Sequence, residues 1–114
     1  MAIQLPDHDA LSLLDVEVIA HEEPWVSTVH HSNDMESHVH VTWDGFAGSV
    51  SIRWLDVGEE CFSIEREGLV LLSIDQTGTD LHVACEFEFG QYSSRLSLTH
   101  GDDFKLRDTV LQTG

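Results

Sequence analysis

Residues 37–55 constrain the fold of this chain more than any other stretch. In Ser37-His-Val-His-Val-Thr-Trp43 the apolar side chains fall on alternate positions, Val39, Val41 and Trp43, while His38, His40 and Thr42 take the other face. After the loop Asp44-Gly-Phe-Ala-Gly-Ser49 the pattern returns in Val50, Ile52 and Trp54. Alternation with period two marks a strand buried on one face only. Pairing Trp43 with Val50 brings Val41 to Ile52 and Val39 to Trp54, and sets His40 opposite Arg53. A slip of one residue would turn every apolar group to water, so this register is strongly specified.

The rest of the chain extends the theme. Asp15 to Ala20 alternates and reads as a first strand, ended by His21-Glu-Glu-Pro24, because proline donates nothing to a ladder. Trp25 to Val29 reads as a short strand and His30 to Asp34 as loop. Pro6-Asp7-His8-Asp9 is a turn or cap signal, and the run Ala10 to Leu14 fits either a helical turn or a lead-in strand. Glu60 to Arg66 and Leu69 to Ile74 flank Glu67-Gly68, which predicts a hairpin pairing Ile64 with Leu72 and Phe62 with Ile74. Leu69 and Leu71 then fall on the second face. Leu81, Val83, Cys85, Phe87 and Phe89 make the longest clean alternation. Gly90-Gln91 fits a two-residue turn with glycine first, pairing Phe89 with Tyr92, Cys85 with Leu96 and Val83 with Leu98. After the turn His100-Gly-Asp-Asp103, Phe104 to Leu111 is a last strand or a short amphipathic segment.

Short alternating runs separated by turn residues imply one all-β domain spanning residues 1–114, an antiparallel sandwich or partly closed barrel of about seven or eight strands built largely as a meander. The expected core is Val39, Val41, Trp43, Val50, Ile52, Trp54, Phe62, Ile64, Leu72, Ile74, Leu81, Val83, Phe87, Phe89, Leu96 and Leu98. Cys85 joins this core and Cys61 falls out of phase with Phe62 and Ile64, so the two are expected as free thiols. Free thiols suit a reducing cytoplasm, and the start of the chain lacks the basic and apolar regions of a secretory signal. No stretch approaches the ~20 apolar residues of a membrane span.

Charge narrows the function. Twenty-one acidic residues face five basic ones, for a formal net charge of −16. Such a field opposes nucleic acid and anionic membranes, whose phosphates are bound by lysine and arginine, and favours a basic protein partner. Glu59, Glu65, Glu86, Glu88, Asp102 and Asp103 sit at strand starts, on outward faces or in a turn. If neighbouring strands bring Glu59 and Glu65 beside Glu86 and Glu88, one sheet face becomes an anionic patch for that partner.

Catalytic signals are weak. There is no Gly-x-Ser-x-Gly, no base placed beside Ser93-Ser94, and Cys61 follows Glu59-Glu60, whose charge disfavours a thiolate. No cofactor is expected on this reading. His38-x-His40 puts two imidazoles on one strand face, roughly 7 Å apart. An His-x-His on a β-barrel resembles the metal motif of cupins, which would imply one transition metal ion held by His38 and His40; the flanking glycine and glutamate spacings and a second motif are absent. The sequence therefore favours a non-enzymatic acidic binding protein, most concretely an immunity protein or inhibitor that blocks a basic surface such as that of a nuclease-type toxin. The alternatives are a small metal-binding β-barrel and a subunit of a larger assembly that docks through an edge strand and Trp25.

Overall fold

The computed structural model describes residues 3–112, so the first two residues of the lead-in lie outside it. The described residues form one helical turn, α1 (His8–Leu11), and nine strands: β1 (Glu17–Ala20), β2 (Val26–Ser32), β3 (Ser37–Asp44), β4 (Ser49–Asp56), β5 (Glu59–Glu67), β6 (Leu69–Thr77), β7 (Asp80–Phe89), β8 (Tyr92–His100) and β9 (Phe104–Gln112). They form two antiparallel meanders, a five-stranded sheet β1-β2-β3-β4-β5 and a four-stranded sheet β6-β7-β8-β9. The sheets stack as an open sandwich, because the alternating apolar faces of both can be removed from water only against each other.

The two hairpins with the clearest alternation pair as expected. In β3–β4, Trp43 meets Val50, Val41 meets Ile52, Val39 meets Trp54 and His40 meets Arg53. In β7–β8, Phe89 meets Tyr92, Cys85 meets Leu96 and Val83 meets Leu98, around Gly90 at a φ of 59°. Both cysteines are free, Cys85 buried and Cys61 exposed. Cys61 is the extra residue where Trp54 pairs with Phe62 but Leu55 with Glu60, and a bulged residue belongs to neither face.

The predicted hairpin at Glu67-Gly68 does not form. Ile64 pairs with Ile52 and Leu72 with Cys85, so β5 and β6 lie in different sheets. Gly68, at a φ of 83°, is where the chain crosses. Its carbonyl accepts from Glu88 N (2.9 Å) and the Leu69 amide donates to Gly48 O (3.0 Å), so the turn's polar groups are taken by other hairpins. A side chain at Gly68 would meet Glu88 O and the Phe89 ring, each 2.8 Å from its Cβ. Beyond the crossing, Leu69 faces Phe87 and Leu71 faces Glu86, which leaves Val70 as a bulge. That extra residue resets the phase, and Leu69 joins Leu72 in the core instead of lying on the opposite face.

Other corrections are local. Among the described residues there are nine strands, close to the seven or eight expected, because the short β1 and the segment after Pro24 both pair. His30, His31 and Ser32 continue β2 rather than forming a loop. Phe89 keeps its phase but sits beside a turn where little covers it, and is 44% exposed. Trp54, Ile64 and Ile74 pack against the core only partly buried, as Phe62 is, while Leu11 and Val29 are fully buried. Leu11 reaches the core from α1, whose N-cap Asp7 accepts from the Asp9 amide. The free edge of β6 is partly covered where Gln4 N donates to Val70 O and Leu72 N to Gln4 O.

Candidate partner-binding surface

The crossing at Gly68 decides where the predicted acidic residues go. Glu65 projects from the outer face of the five-stranded sheet beside Ser51, and Glu59 is exposed where β5 begins. Glu86 and Glu88 lie on the outer face of the four-stranded sheet. Asp102 and Asp103 are in the β8–β9 turn at one end of the sandwich. These six residues occupy three surfaces and no single anionic sheet face. Glu86 is moreover neutralised by Arg95 at 2.6 Å, and Lys105 and Arg107 share its side of the sheet through Thr99 and Ser97. Three of the five cations of the chain thus lie on the face where Glu86 and Glu88 were expected to attract a basic partner.

Acidic groups converge instead at the end carrying Asp102. The β2–β3 turn, the β6–β7 turn, the β8–β9 turn and Asp15 meet there around a hollow lined by Asp15, His31, Asn33, Asp34, Thr79 and Asp102 among others. A second hollow shares Asp15, Asn33 and Asp34 and adds Glu17 and His30. Among the described residues no lysine or arginine lines either one. Asn33 clamps this end: its Oδ1 accepts from the Met35 and Ser37 amides at 2.9 and 3.1 Å, and its Nδ2 donates to Gly101 O at 2.8 Å. The acid-bearing turns are therefore held in fixed relation.

Below the clamp a polar chain crosses between the sheets. Trp54 Nε1 lies 2.9 Å from Ser37 Oγ, Ser37 Oγ 2.9 Å from His100 Nε2, and His100 Nδ1 2.8 Å from His31 Nδ1. His31 also hydrogen-bonds the backbone of Thr79. Indole can only donate and a carbonyl can only accept, so the hydrogens run one way. Trp54 donates to Ser37, Ser37 to His100 Nε2, His100 Nδ1–H to His31 Nδ1, and His31 Nε2–H to the Thr79 carbonyl. Every side-chain polar atom of the Trp54–Ser37–His100–His31 relay is then satisfied with both imidazoles neutral. Burial, followed by the neighbouring His31, pushes His100 down to about 4, and burial likewise lowers His31.

On the outer face of the five-stranded sheet His38 and His40 sit together, with His30 as the neighbour that the sequence had placed in a loop. His30 Nε2 is 2.8 Å from His38 Nδ1, its Nδ1 is 3.2 Å from Glu17 Oε1, and its ring stacks on His40 at 4.5 Å and 7°. His40 Nδ1 is buried without a partner among the described residues, and burial followed by His30 and Arg53 lowers its pKa. Parallel stacked rings aim their lone pairs in parallel rather than at one point. Among the described residues no group of three or more His, Cys, Asp or Glu side chains is placed to hold a metal ion. At the far end of the sandwich, Trp25 meets Phe46 of the β3–β4 loop with ring centroids 5.7 Å apart.

No family model and no curated protein matches the chain. Among solved structures it is similar to a chain of a contact-dependent growth inhibition toxin–immunity protein complex from Klebsiella pneumoniae 342. The likeness has a TM-score of 0.76 at 14% identity and covers 97% of this chain and 100% of that one. At that identity what the two chains share is the fold, from end to end.

Proposed function

We propose that this chain is a non-enzymatic immunity-type inhibitor that neutralises a toxin by binding over a basic part of its surface. The end-to-end likeness in fold to a chain of a toxin–immunity complex is the observation that carries the reading. The charge of −16 supports the basic partner, since complementary fields speed encounter and penalise wrong partners. The side chains that resemble nucleophiles or bases support a binding role. Cys85 is sealed in the core with its thiol pushed up to about 12 by burial, and Cys61 stands exposed beside Glu59 and Glu60. The outer histidines are engaged with one another and with Glu17.

The test is to express the products of the reading frames that flank this one, purify them, and measure their binding to this chain by calorimetry at low and high salt. A basic product whose toxicity is abolished at equimolar ratio, through a complex weakened by salt, is the expected result. If the chain binds none of them, or binds one without relieving its toxicity, the reading is wrong.

A further inference from the structure

We propose that the end of the sandwich bearing Trp25 and Phe46 is the surface that anchors the partner, and that it fits an apolar pocket flanked by lysine and arginine. This rests on the inhibitor reading and assigns it a place. Phe46 is 85% exposed, Trp25 46% and Leu5 37%, all at the end opposite the acidic hollows. Exposed aromatic groups in mutual contact are the material of interface anchors, because they bury much area while ordering few bonds.

The presentation is rigid, which separates this patch from a loose loop tip. Asp44 Oδ1 accepts from the Phe46 and Ala47 amides at 2.9 and 2.8 Å. Gly48 N donates to Asp44 O at 2.9 Å, and Gly45 N to Trp25 O at 2.8 Å, tying the loop to the segment that carries the indole. Leu5 backs the loop so closely that a Cβ on Gly45 would sit 3.0 Å from its Cδ1. The rings are thus set before any partner arrives, and the ordering penalty of binding is small.

Charge selects the occupant. Exposed Glu22 and Glu23 precede Trp25, and Glu67 is exposed beside the Gly68 crossing that contacts the Phe46 loop. Arg66, beside Glu67 in sequence, is held bidentately by Asp108. A second copy of this chain would bring like charges together, and an anionic membrane would be repelled, whereas a basic protein is attracted to the rim. The acidic end has the charge, but among the described residues its turns expose Met35 and Val57 rather than an aromatic ring.

The test uses the flanking-frame product that binds in the assay above, at fixed salt. Phe46→Ala is expected to weaken binding about 30-fold or more, chiefly by faster dissociation. Its melting temperature should match wild type, because the ring is almost fully in water, and Phe46→Tyr should bind within about threefold of wild type. Trp25→Ala should weaken binding in the same direction, while Asp102→Asn with Asp103→Asn should leave dissociation unchanged. Wild-type affinity in both aromatic variants overturns the inference while leaving the inhibitor reading standing. So does a dimer of this chain that Phe46→Ala dissolves, which would assign the patch to a second copy. If wild type binds no flanking product, both fall.

Discussion

The two ends of the sandwich meet solvent with different chemistry, and the difference lies in what each is built upon. At the acidic end, Asp15, Asp34 and Asp102 stand over a buried polar chain, Trp54–Ser37–His100–His31–Thr79, that binds one sheet to the other. At the aromatic end, Trp25 and Phe46 rest on a loop fixed by its own backbone and by Asp44. One end takes its rigidity from buried imidazoles that bridge the sheets, and the other from backbone hydrogen bonds and the Asp44 carboxylate within a single loop. The acidic end should therefore govern stability and its pH dependence, and the aromatic end should govern affinity.

The largest contrast lies in stability. His100→Ala removes a fully buried ring and strands Ser37 and His31, and should lower unfolding free energy by about 3 kcal/mol in urea titrations. Phe46→Ala should change it by less than about 0.5 kcal/mol. Equal effects from the two substitutions would erase the distinction between the ends.

Acid provides a second contrast. His100 is held near 4 in the fold against an ordinary 6.5. As pH falls from 6.5 towards 4, the unfolded chain takes up a proton that the folded chain refuses, so stability is full above 6.5 and is lost through this window. The loss from this one residue reaches about 3 kcal/mol. Hydrogen exchange should show the His31, Asn33 and Gly101 amides losing protection across that range while the Phe46 loop keeps its protection. His100→Asn should flatten the slope of stability against pH.

A smaller effect sits in the β4–β5 turn, where Val57 has a φ of 52° beside Gly58 at 81°. A β-branched residue is strained there, and asparagine tolerates the conformation. Val57→Asn should raise stability by about 1 kcal/mol, read as an upward shift in melting temperature. Smallest of all, Asp34→Asn with Asp102→Asn should slow association with the partner by about threefold at low salt and not at high salt.

Local pattern made much of this molecule legible. Val39 to Trp54 and Leu81 to Leu98 carry alternation and turn chemistry in the same few residues, so register and buried face followed directly. Glu67-Gly68 failed because its turn signal is real but local. Only Gly48, Glu88 and Phe89, distant in sequence, determine that the glycine turns the chain into a second sheet. His31 was lost for a related reason. It occupies an inward position between Val29 and the turn, but an imidazole is tolerated in a core only when partners such as His100 arrive from far along the chain. The predicted acids scattered because outward residues are placed by topology, and nothing in their own neighbourhood records which sheet they will join.

The Gly68 crossing has a consequence for how the molecule comes together. All strand-to-strand pairing in the five-stranded sheet is completed before Gly68 and all of it in the four-stranded sheet after, Gln4 adding only an isolated bridge to β6. Each half is a meander of neighbouring strands with short loops to close, which keeps the sequence separation of its contacts low and favours early formation. Docking then joins two preformed leaves through the apolar core, Arg66–Asp108 and His31–His100. A chain severed at Gly68 should reassemble from its two fragments, with the peptide bond there serving only to hold the leaves at high effective concentration.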